Sequence, residues 1–122
     1  MDSPDIPAFP GPVAGAYMVG SHAIYGEGKD VDYIVLVGNM HDWCAESGWE
    51  HGGYSNQDSE FISLRKGKLN LIVTDRTWLF EAFVTATNMM RMLAHVVPQS
   101  DKAKRVMLCE LMIQWYREAH HE

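Results

Sequence analysis

The run Asp30-Val31-Asp32-Tyr33-Ile34-Val35-Leu36-Val37 constrains the fold more than any other stretch of the chain. It is dense in β-branched and aromatic residues, which suit a pleated, buried surface, so residues 30–37 are expected to form a strand with a central apolar end. Side chains alternate along a strand, which puts Asp30 and Asp32 side by side on one face. Carboxylates so close repel and raise each other's pKa unless a cation lies between them, which makes the pair a candidate ligand set for a divalent metal ion. An isolated Asp-x-Asp at a strand entrance is more often simply solvated, so the neighbourhood decides.

That neighbourhood holds a second feature. Ala14 to Val19 is a short apolar run that reads as a strand ending in a tight turn at Gly20-Ser21, with a brief helical connection through His22 to Tyr25. A glycine there lets a phosphate approach backbone amides, and the Ser21 hydroxyl can donate to it. Gly26-Glu27-Gly28-Lys29 lacks the full Walker spacing and reads as a turn, from which Lys29 could meet a phosphate at the rim. His22 reads as a capping or packing residue first and as a phosphate or base contact second.

The remaining elements fall into order around this pair. Residues 1–13 carry Pro4, Pro7, Pro10 and Pro12 and are expected to form an extended surface arm, leaving 14–122 as one domain. Asn39 to Ser59 suits one short helix near Asp42 to Ser47 followed by a long irregular loop. Phe61 to Arg65 and Lys68 to Thr74 flank Lys66-Gly67 and read as a hairpin, with Lys68, Asn70 and Ile72 on one face of the second strand. Asp75 is a candidate N-cap for a helix from Thr77 to His95. After a break at Val97-Pro98, Ser100 is a candidate cap for a last helix from Asp101 to Ala119. Strands first and helices last define an α+β protein, with helices packed on one side of a mixed sheet.

Composition sets the boundary conditions. A chain of 122 residues is long enough for one real core and too short for two. The net charge of −6 opposes long-range capture of nucleic acid, and suits instead a metal-filled site, a metal-neutralised nucleotide or a basic protein partner. Cys44 and Cys109, the two cysteines, suggest neither a disulfide framework nor a zinc ribbon. No apolar stretch approaches the ~20 residues that span a bilayer, so a cytoplasmic location without membrane attachment is expected.

The order Val19-Gly20-Ser21, a short spacer, then Asp30-Val31-Asp32-Tyr33 resembles the signature of the DNA polymerase beta-like nucleotidyltransferases. The resemblance implies a minimal nucleotidyltransferase fold in which Gly20 and Ser21 hold a nucleoside triphosphate. It further implies that Asp30 and Asp32 bind Mg2+ (or Mn2+) in two-metal transfer of a nucleotide to an acceptor it does not identify, for which a host protein or RNA is the expected class. The segments Gly67 to Asp75 and Asp101 to Val106 are similar to those of small nucleotidyltransferase-fold proteins of tailed phages, whose setting is the host cytoplasm.

One position departs from the family. The third carboxylate of the superfamily comes from a neighbouring strand, and here the aligned place falls on Asn70, a neutral group that weakens a two-metal site and cannot activate an attacking hydroxyl. Asp75, Glu60 or Asp58 would have to substitute. Two functions are therefore expected as alternatives: a metal-dependent nucleotidyltransferase, or a catalytically degenerate phage protein that binds or inhibits a host macromolecule.

Other features read as structural first. His41, Cys44 and His51 lack a fourth zinc ligand. The basic groups Arg65, Lys66, Lys68 and Lys102, Lys104, Arg105 read as solvated surface, with phosphate contacts as the minority reading. Trp43, Trp49 and Tyr54 read as anchors for their loop rather than stacking platforms for bases. Met89, Met90, Met92, Met107 and Met112 suit core filling or a homodimer seam.

Overall fold

The computed structural model describes residues 8–52, 60–99 and 101–120. Its first strand, β1 (Gly15–Val19), runs directly into a short helix, α1 (Gly20–Tyr25), and the aspartate-led run becomes β2 (Val31–Leu36). Next come α2 (Met40–Ser47), a two-residue strand β3 (Glu50–His51), and the hairpin β4 (Ile62–Lys66) and β5 (Leu69–Thr74). Two long helices close the chain, α3 (Thr77–Met92) and α4 (Lys102–Ala119). No helix among the described residues is long and apolar enough to cross a membrane.

The five strands form one sheet in the order β1-β2-β5-β4-β3, with β2 and β5 parallel and every other pair antiparallel. The parallel pair is central because its residues are apolar on both sides: Ile34, Val35, Leu71 and Val73 are fully buried. Tyr33, Val35, Leu71 and Val73 face Met40, Trp43 and Cys44 of α2, while Ile34 and Ile72 face Leu79 and Phe83 of α3. The long helices thus share one side of a mixed sheet, as expected for this α+β architecture, and α2 lies on the other.

Local chemistry explains the boundaries, and in four places it differs from the sequence expectation. Residues 8–13 of the proline arm are not a free surface strand. Phe9 and Val13 pack on the α2 side, Phe9 meets Tyr33 edge-on at 5.9 Å, and the Trp43 indole donates to the Pro12 carbonyl at 2.8 Å. Asp75 does not cap α3. Its Oδ2 accepts from the Met40 amide at 3.0 Å, while the Thr74 hydroxyl accepts from the Arg76 amide just before the helix. Asp101 caps α4 by accepting from the Lys104 amide at 3.1 Å; Ser100 lies outside the described residues. Trp43, His41 and Cys44 belong to α2 rather than to a loop, with Trp43 and Cys44 buried.

In α3, Leu79, Ala82, Phe83, Ala86 and Met90 recur at helical spacing and are buried against the sheet. By contrast α4 rests on α3 and buries no residue fully. Its inner face is pinned by three contacts. Arg105 reaches Ser21, Tyr116 shares a hydrogen bond with Thr85 at 2.9 Å, and Arg117 binds Glu60.

Candidate functional site

Strand register builds the site. Val19, Asp32, Asn70, Arg65 and Glu50 occupy one row across β1, β2, β5, β4 and β3. Because paired residues point to the same side of a sheet, Asp32, Asn70 and Arg65 line up on the face that carries α3. The Asn70 side-chain amide donates to Asp32 Oδ1 at 2.8 Å, and the Arg65 guanidinium forms an ion pair with Asp30 at 3.1 Å.

Gly20 closes the row from above. Its φ of +77° is a left-handed conformation that favours glycine, and a Cβ there would collide with Asp32 Oδ2. The β1-to-α1 turn can therefore sit on the Asp32 carboxylate only because residue 20 has no side chain. Gly28 acts similarly on the next layer, since a Cβ at that position would lie 3.2 Å from the Ser21 Cβ and 3.6 Å from the Asp30 carbonyl. The glycine-serine turn and the two aspartates thus converge on one region of the molecule.

Burial raises the Asp32 pKa above its ordinary value; the Asn70 hydrogen bond opposes the rise, the Asp30 charge adds to it, and Arg65 opposes it. Asp32 and Gly20 line a cavity of about 170 Å³ whose other walls include Ile24, Phe83, Met90 and Arg105. Arg105 donates to the Ser21 hydroxyl at 2.9 Å and stacks over the Tyr25 ring at 5.9 Å, while its Nε is buried with no hydrogen-bond partner. The His22 Nδ1 atom is likewise buried without a partner.

Lys29 is exposed and does not line the cavity. The substitutes for a third carboxylate are engaged elsewhere: Asp75 holds the Met40 amide, Glu60 holds Arg117, and Asp58, like Tyr54, lies outside the described residues. Among the described residues no group of three or more His, Cys, Asp and Glu side chains is placed to share a metal ion. Two carboxylates, one already bound to a guanidinium and the other to an amide N–H, are a poor match for a pair of divalent ions, which call for several oxygen donors each. The residues present do not fit a two-metal centre.

The thiols are equally unsuited to chemistry. Burial pushes Cys44 up to about 11, and burial with the neighbouring Glu110 charge pushes Cys109 up to about 11, so both stay protonated at neutral pH.

Sequence reasoning missed two members of the site. Beside their lysine neighbours Arg65 and Arg105 read as solvated surface, yet each reaches the site. The hairpin register around Gly67 would have revealed Arg65, since it sets Arg65 opposite Asn70. Arg105 comes from the last helix, 84 residues from Ser21, and no local pattern announces that contact.

The fold and this row define an α+β protein with a five-stranded mixed sheet and its long helices on one side. No family model and no curated protein matches the chain. Among solved structures it is similar to the conserved protein GrpB from Enterococcus faecalis, with a TM-score of 0.47 and 17% identity, over 85% of this chain and 82% of that one. None of these comparisons supports the likeness to phage proteins.

Proposed function

We propose that the chain is a catalytically degenerate nucleotidyltransferase-like domain that binds a nucleotide by its phosphates, through Ser21 and Arg105, without transferring it. The observation that carries this reading is Asn70. It stands in register with Asp32 on the adjacent strand, where the resemblance expects an acid, and its amide donates to the carboxylate that a metal would otherwise engage. A site arranged this way has no base for an acceptor hydroxyl and no donor set for two ions.

Binding is supported from the other side of the turn. A guanidinium has five N–H donors in a fixed fork, and Arg105 spends one of them on Ser21, which leaves a cationic fork beside a serine hydroxyl. The cavity of about 170 Å³ is well below the ~300 Å³ at which small-molecule pockets usually begin. A nucleotide would therefore be held at its phosphate end with the base outside, and the base would matter little.

The test is calorimetry with all four nucleoside triphosphates, in EDTA and in magnesium, together with an assay for movement of label from the α-phosphate to any acceptor in a cell extract. Expected are similar affinities for the four bases, retention in EDTA, loss in Arg105→Ala and no transferred label. Binding that requires magnesium and disappears in Asp32→Ala, or label that moves, would overturn the reading in favour of metal-dependent transfer.

A further inference from the structure

The outer face of α4 carries a pattern that its own fold does not use. Eighteen residues long, this helix touches the rest of the molecule along one side through Arg105, Cys109, Ile113, Tyr116 and Arg117. On the opposite side Met107, Leu111 and Trp115 are 50%, 59% and 63% exposed. Helices of this length draw most of their stability from packing of an apolar face, and here an apolar line is turned to solvent.

Charge brackets that line symmetrically. Lys104 lies seven residues before Leu111 and Glu118 seven residues after it, and both are exposed. With 3.6 residues per turn, Lys104, Met107, Leu111, Trp115 and Glu118 all fall within an arc of about 80°. In a two-fold symmetric contact each residue meets its counterpart reflected through the axis. An axis at Leu111 that crosses two antiparallel copies of α4 sets Leu111 against Leu111 once, and Met107 against Trp115 and Lys104 against Glu118 twice each. Parallel pairing would instead set Lys104 against Lys104 and Glu118 against Glu118.

We infer that this face is the seam of a homodimer, in which α4 of one chain lies antiparallel along α4 of a second copy with Leu111 at the axis. Charge along the stripe is self-complementary for a second copy lying antiparallel and not for one lying parallel. Its elements are the spacing of five side chains on one helix, so it stands independently of any ligand at Ser21 and Arg105.

Charge reversal tests it on the full chain by sedimentation equilibrium. The wild type is expected to show twice the 13.8 kDa chain mass at micromolar concentrations. Lys104→Glu or Glu118→Lys alone turns two attractive contacts into two repulsive ones and should weaken the dimer by about tenfold. The double swap should restore it to near the wild-type constant, and Leu111→Arg, which sets two like charges at the axis, should abolish it. All three positions are exposed, and unchanged far-UV circular dichroism checks that the variants remain folded. A wild-type chain that stays monomeric overturns the proposal, as does a dimer indifferent to the single swaps or one that the double swap fails to rescue.

Discussion

Asn70 donates its side-chain amide to the Asp32 carboxylate at 2.8 Å, from the position directly across the parallel ladder. A neutral amide here meets the carboxylate as a donor, so putting an acid in its place should carry a cost. Asn70→Asp removes the donor and adds a like charge beside a half-buried carboxylate, and is expected to lose about 1–3 kcal/mol of stability in EDTA by urea denaturation. The new carboxylate completes a set of three with Asp30 and Asp32. Magnesium should therefore raise the unfolding midpoint of the variant and leave the wild type unmoved; an equal response from both would show that the native row already accommodates the ion.

Gly20 makes a sharper prediction. Alanine there must adopt a φ of +77° and push its Cβ into Asp32 Oδ2, so Gly20→Ala should cost about 2–4 kcal/mol, from backbone conformation and collision together. The two contributions separate in a double-mutant cycle. Truncating Asp32 to alanine removes the collision but not the backbone penalty, so the double variant should be more stable than the sum of the single effects implies. Strict additivity would mean that Gly20 does not rest on the carboxylate.

The sheet was readable from the sequence because its signals are local. The β-branched run of β2, the Gly67 hairpin and the alternation of Leu69, Leu71 and Val73 against Asn70 and Ile72 each follow from the two-residue period of a strand. The same period puts Asp30 and Asp32 on one face, whereas Asn70 is tied to them only by the family resemblance. What stayed hidden depended on distant contacts. Arg105 arrives at Ser21 from α4, Phe9 arrives at Tyr33 from the proline arm, and Asp75 turns from its own helix to the Met40 amide. In each case a side chain had a local option, and a tertiary partner displaced it.

Asp32 should leave a signature in the pH dependence of stability. Burial raises its pKa in the folded state above the ordinary value of 3.8, so the folded protein binds this proton more tightly than the unfolded chain does. Stability from this group is then full below the unfolded value and is lost as pH rises through the folded value. Asp32→Asn abolishes the titration and keeps an acceptor for Asn70. Urea denaturation across acidic pH should show the variant gaining on the wild type from about pH 4 upward and levelling off once the folded carboxyl has ionised. A difference that is flat with pH, or that moves in the opposite sense, would mean that Asn70 and Arg65 outweigh burial.

The last prediction concerns how α4 is held. Glu60 is 3% exposed at the entrance to β4, and Arg117 donates to both of its oxygens at 2.6 and 2.8 Å while lying over the Trp78 ring at 5.8 Å. A carboxylate so enclosed needs a cation, and the planar guanidinium meets both oxygens at once, which an ammonium cannot. Arg117→Ala should therefore cost about 3 kcal/mol, far above the usual effect of a change on a half-exposed helix, and Arg117→Lys should recover only part of it. Because α4 buries no residue fully, the loss should also appear locally, as faster proteolysis within residues 102–119 relative to the sheet. Arg117→Ala within about 0.5 kcal/mol of the wild type would show that the Glu60 charge is satisfied by its other surroundings and that Arg117 is not what holds the helix.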